Sequence, residues 1–121
     1  MSRAVRGIEE VDPAPSVVTI GMFDGVHRGH RAIVDRAVHG AAARGQRGVA
    51  VTFDRHPAEV IRPGSQPTYL QTLPRKVEAL LGVGVDLVVA LPFTEELSQL
   101  SPQAFVEHVL AGSLRTTRVV V

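Results

Sequence analysis

The run Gly21-Met-Phe-Asp-Gly-Val-His-Arg-Gly-His30 decides how this chain is read. It follows a short apolar stretch, Ser16-Val-Val-Thr-Ile20, that reads as a strand, and it opens a stretch with helical periodicity. Two histidines three residues apart therefore stand at a strand-to-helix turn. Positions i and i+3 share one face of a helix, so His27 and His30 can point at the same ligand. The helix start adds backbone N–H groups without intrahelical partners and the positive end of its dipole. Together these features make a phosphate site. Gly21 opens the turn, Gly25 can take a positive φ, and Gly29 lets a ligand approach the backbone closely.

Working outward, strand and helix patterns alternate, which predicts a parallel α/β sheet. A helix is expected from about Gly29 to Arg44, with Ile33, Val34, Ala37, Val38, Ala41 and Ala42 on one face and Gly45 as its stop. Gly48–Phe53 is a second, almost wholly apolar strand of the kind covered on both faces. Arg55 to Tyr69 forms a long loop containing Pro and Gly, a length that often carries function. Thr72 caps a second helix with Leu73, Val77, Leu80 and Leu81 in register and Gly82 ending it. A third strand spans Val85–Leu91. Ser101-Pro102 starts a third helix whose stripe is Phe105, Val106, Val109 and Leu110, and Arg118–Val121 reads as a fourth strand.

Composition narrows the function classes. At 121 residues there is room for one domain at most. A net charge of +1 offers no bulk field for a nucleic acid or a membrane surface. Without cysteine there is no disulfide, no thiolate catalysis and no Cys-based zinc site. The first ten residues carry acids and no apolar core, so they do not read as a signal peptide, and no apolar run approaches the ~20 residues that span a bilayer. A cytoplasmic protein is the expectation. Neither Gly-x-Gly-x-x-Gly nor a Walker A loop is present, which argues against a dinucleotide-binding dehydrogenase and a P-loop ATPase.

Gly-x-Phe-Asp-Gly-Val-His-x-Gly-His resembles the signature of bacterial FAD synthetases, the FMN adenylyltransferase module usually fused to a riboflavin kinase. Thr52-Phe-Asp-Arg-His-Pro57, Leu91-Pro-Phe-Thr94 and Leu100-Ser-Pro102 followed by Phe105-Val106 agree with it along the chain. The resemblance implies a Rossmann-like nucleotidylyltransferase fold, a parallel sheet with helices on both faces. It also implies ATP and FMN as substrates, Mg²⁺ on the triphosphate, and no protein metal site. His27 and His30 would be catalytic. Gly21, Phe23, Asp24, Gly25 and Gly29 would join them around ATP, and Phe53, His56 and Pro57 would hold the flavin. It further implies that the last strand lies beside the first, and that it would continue into a Gly-x-Asn-Phe-x-Phe-Gly loop forming the facing wall of the site. On that basis residues 1–121 are an incomplete FAD synthetase domain without the kinase domain expected in the full-length chain, and are expected to be inactive or weakly active alone. The bare β-branched strand at the end is expected to make the 121-residue chain less soluble than a longer one.

Blander readings stand beside these. Asp24-Gly25 forms turns readily, and Phe23 reads as turn packing ahead of a nucleotide contact. His56-Pro57 serves ordinary turn chemistry as well as it serves a flavin loop, and Arg55 stands where the family commonly has Pro. His39 and His108 read as surface residues, and Glu95 and Glu96 as a solvated face or helix start. Two alternative functions stay open: transfer to another phosphorylated acceptor, and a non-catalytic nucleotide- or flavin-binding fragment.

Overall fold

Apolar runs bounded by turn residues become the strands of one parallel sheet. A computed structural model describes residues 3–23, 28–54, 72–112 and 114–121. In chain order the elements are β1 (Arg3–Val5), β2 (Ser16–Ile20), α1 (Arg28–Arg44), β3 (Arg47–Phe53), α2 (Leu73–Val83), β4 (Leu87–Leu91), α3 (Glu95–Ser98), α4 (Pro102–Phe105) and β5 (Thr116–Val120). Strand order is β1-β4-β3-β2-β5, with parallel pairing throughout. Val18 lies opposite Val49 on one side and Val119 on the other, so the last strand does flank the Ser16–Ile20 strand. The chain winds from β2 through β3 to β4, then returns to the far side of β2. That reversal is the topological switch point of an open α/β sheet, where ligands bind beyond the carboxyl ends of the strands.

Alternation along the strands divides the core in two. Val18, Val49, Val51, Leu87 and Val89 face one layer, closed by Val109, Leu110 and Leu114. Ala50 and Val88 face the other, where Phe23, Val34 of α1 and Leu80 of α2 pack. Val17 meets Ala37 and Ala41 of α1 on that same side. Helices thus cover both faces, as the uninterrupted apolar strands require.

Several local expectations need correction. β1 was not foreseen: only Val5 of its three residues is buried, too short a pattern for alternation to show. α2 runs through Gly82 and stops at Gly84, whose φ of 119° and N–H bond to the Leu81 carbonyl make the left-handed cap. Gly82 takes no such conformation, so nothing obliges the helix to end there. Strand β4 begins two residues later than expected. Asp86 intervenes, its carboxylate and amide taking the Gly48 N–H and carbonyl at 2.8 Å each. A short helix, α3, precedes the expected third helix, and the latter is not uniform. Thr94 Oγ1 accepts from Leu97 N at 3.1 Å and caps α3. Ser101 Oγ accepts from Ala104 N at 3.0 Å and caps α4, which widens into a π-helical turn at Val106–Leu110. The expected 55–69 loop lies outside the described residues.

At the amino edge of the sheet, Arg47 donates to Ser16 Oγ (3.1 Å) and to the carbonyls of Asp12 (3.0 Å) and Ala14 (3.3 Å), pinning the entry to β2. Burial, and then the nearby Arg3 charge, lower its guanidinium from the ordinary value. Among the described residues β5 is an edge strand of the sheet, and Val119 on it is 44% exposed. Inside, Thr19 is fully buried and its hydroxyl has no hydrogen-bond partner among the described residues. A buried, unsatisfied hydroxyl costs about 1 kcal/mol or more. Thr19→Val is therefore expected to raise the melting temperature by about 3 °C; a fall in a thermal melt would mean that the hydroxyl is satisfied.

Candidate active site at the carboxyl edge of the sheet

The turn that leaves β2 is stitched to the end of β3. Gly21 N donates to the Val51 carbonyl at 3.1 Å, and Thr52 Oγ1 donates to the Met22 carbonyl at 3.0 Å. Phe23 then adopts φ 52°, a left-handed conformation that costs a bulky side chain roughly 1–2 kcal/mol. The sequence assigned that freedom to Gly25, which lies outside the described residues. What offsets the strain at Phe23 is burial: the ring is 2% exposed and belongs to the core cluster of Val34, Ala50, Leu80, Val85 and Val88. Gly21 makes room for it, since a Cβ there would stand 3.2 Å from the Phe23 ring. Phe23 is thus a packing anchor of the turn.

That anchor holds a histidine. His30 lies in the first turn of α1, half-buried, and its ring meets the Phe23 ring edge-on at 5.5 Å and 87°. No acidic residue occupies that first turn, so nothing there opposes an anion at the positive end of the helix. Gly29 beside it is exposed. The structure therefore sets His30 at the carboxyl edge over β2, next to the switch point. Asp24, Gly25 and His27 lie outside the described residues.

Phe53, the last residue of β3, reaches the same edge from the other face. Its half-buried ring packs toward the Val18–Val49 layer and meets Phe93 edge-on at 5.4 Å and 88°. The sheet thus separates the Phe53 ring from the layer that contains α1. Asp54 follows: its N–H bonds the Leu91 carbonyl and its carboxylate accepts from Phe93 N, both at 3.0 Å. His56 and Pro57 lie outside the described residues. Lys76, which sequence reasoning did not connect with the site, projects from α2 and donates to the Phe53 carbonyl at 3.0 Å. One signal pointed to it: it is a lysine within the apolar stripe Leu73, Val77, Leu80. The remaining candidates fall as read. His39 is exposed beside Asp35 (3.3 Å), His108 is exposed, and Glu95 and Glu96 form the first turn of α3.

Comparison with known proteins gives this edge a family. The fold matches a crystal structure described as a macrolide-efflux protein from Streptococcus pneumoniae, with a TM-score of 0.79 over 98% of this chain and 40% of that one. At 19% identity that likeness concerns the fold alone. Bifunctional riboflavin kinase/FMN adenylyltransferases are closer in sequence. The Listeria monocytogenes protein is 41% identical over 106 residues, covering 79% of this chain and 34% of the relative. That from Pseudomonas fluorescens is 39% identical, covering 91% and 36%, and that from Escherichia coli 34%, covering 93% and 37%. The chain thus spans about a third of the length of these relatives. The FAD synthetase family profile matches residues 9–121, from the turn after β1 to the end of β5. With its Rossmann-like nucleotidylyltransferase sheet and a histidine at the switch point, this chain belongs to the FAD synthetase family.

Proposed function

We propose that the polypeptide containing this chain transfers an adenylyl group from ATP to FMN, giving FAD and pyrophosphate. The observation that carries this reading is His30 in the first turn of α1, at the switch point of a chain matched to FAD synthetases over residues 9–121. A phosphate oxygen of FMN bonds to the α-phosphorus of ATP as the bond to the β-phosphate bridge breaks, and pyrophosphate departs. No protein nucleophile is needed. The catalyst must align the two phosphates and stabilise charge on a crowded phosphorus. His30 and His27, with the N–H groups that open α1, take that role. Gly21, Asp24, Gly25 and Gly29 shape the ATP side, and Phe53, His56 and Pro57 the flavin side. Phe23 acts by holding the His30 ring.

Among the described residues no group of three or more His, Cys, Asp or Glu side chains converges as a metal cage. Mg²⁺ in this reading arrives on the ATP phosphates, the way it usually binds at phosphoryl sites. The riboflavin kinase activity in the relatives' names belongs, by this proposal, to sequence outside these 121 residues. No described helix is long and apolar enough to cross a membrane, and a cytoplasmic location fits both substrates.

The test is FAD formation from FMN, ATP and Mg²⁺, separated by HPLC, with the full encoded polypeptide and with the 121-residue chain. FAD from the full polypeptide supports the reading. A folded polypeptide that makes none, yet adenylylates pantetheine phosphate or another phosphorylated acceptor, overturns the flavin assignment.

A further inference from the structure

Lys76 is the only lysine among the 13 basic residues of the chain, and it is 6% exposed. A buried ammonium is costly unless its protons are taken up by acceptors. One acceptor is the Phe53 carbonyl at 3.0 Å, and its position explains why a long cationic donor is used. In a parallel ladder, alternate residues of a strand turn their polar groups toward the same neighbour. The Val51 carbonyl is taken by Gly21 N on the β2 side, so the Phe53 carbonyl, two residues on, also faces that side. There β2 has already ended, at Ile20. The place of a strand N–H is filled from a different layer, by Lys76 reaching down from α2.

The neighbouring residues complete a three-sided frame. Thr52 is bonded to the turn that carries His30, through the Met22 carbonyl. Asp54 is bonded to the turn after β4, through Phe93 N, whose ring also meets the Phe53 ring. Arg6 also lies 3.6 Å from the Asp54 carboxylate, whereas Lys76 comes from α2 and acts on the main chain of Phe53 itself. We propose that Lys76 is a positioning residue, fixing the end of β3 so that Phe53, on the flavin side of the proposed site, is held at a set distance from the turn that carries His30. The proposal rests on the FMN reading above. It assigns Lys76 no contact with either substrate.

Steady-state kinetics of FAD formation by the full encoded polypeptide, with Lys76→Met and Lys76→Gln, tests this. The methionine variant keeps the apolar stem and removes the donor; the glutamine variant keeps a neutral donor. The expected result is a KM for FMN raised about tenfold by Lys76→Met, with the KM for ATP within about twofold and kcat within about threefold. Lys76→Gln should recover part of the loss, which also covers the case of a methionine variant that does not fold. A lower melting temperature with an unchanged KM for FMN would make the bond purely structural and overturn the proposal. So would a rise in the KM for ATP equal to that for FMN, which would instead mark the ammonium as part of the field on the triphosphate. FAD from the wild type with no change in either variant refutes the role of Lys76 alone. No FAD from the folded wild type removes the FMN reading, and this proposal with it.

Discussion

Replacing His30 by alanine is expected to lower kcat for FAD formation by the full encoded polypeptide by about 10²–10³-fold, the usual effect of removing one preorganised donor from a charge-stabilising site. The position favours a chemical interpretation of any loss. His30 is in the first turn of α1 and only half-buried, and alanine is the best helix former, so α1 should persist. What disappears is the imidazole held edge-on by Phe23 at the positive end of the helix. His30→Asn, which retains a side-chain N–H donor, should recover part of the rate. HPLC rates beside thermal melts decide the matter. A kcat within threefold of wild type, with both proteins folded, would remove His30 from the chemistry and leave it a helix-start residue.

Phe23→Ala is expected to destabilise the fold by about 3–5 kcal/mol, the range for emptying a buried aromatic site. The ring is 2% exposed, belongs to a buried apolar cluster and cannot be replaced by water in that layer. Domains have only about 5–15 kcal/mol in total, so the variant should be marginal. The backbone adds a sharper test. With φ at 52°, alanine keeps most of the left-handed cost, whereas glycine escapes it. Phe23→Gly should therefore be as stable as Phe23→Ala or more stable, by up to ~1 kcal/mol, the reverse of the order found in ordinary extended or helical positions. Urea unfolding of both variants measures it. An alanine variant clearly more stable than the glycine one would mean that the positive φ is not retained. Both variants should also lose activity, because His30 then stands without its aromatic support.

The elements that the sequence announced are those whose cause is local. Thr72 caps α2 and Ser101-Pro102 starts α4 because a hydroxyl and a fixed φ act on the next three residues. The apolar runs at β2 and β3 required cover on both faces wherever they were placed. The turn holding His30 was legible because two histidines, the glycines and the strand-to-helix change coincide within ten residues.

Other features depended on partners far along the chain. A three-residue strand such as β1 exists because β4 offers it a register, with Val5 opposite Val89. The stop of α2 at Gly84 instead of Gly82 follows from where the helix must turn down into β4. Phe23 takes a positive φ where the layer between α1, α2 and the sheet accepts an aromatic ring, which no turn propensity could show. Phe53 lies across the sheet from the α1 layer because alternation counts from a register, and pairing with β2 and β4 sets that register. Lys76 is one polar residue beside an apolar stripe in the sequence, and only the packing of α2 brings the Phe53 carbonyl to it. The sequence by itself determined the parallel class, the main strands and helices and the place of His30 at the start of α1, since periodicity and capping act within a few residues. Only the tertiary structure decided which carbonyls were left over at the strand ends and which side chains crossed layers to meet them, because those are consequences of pairing and packing among segments distant in the chain.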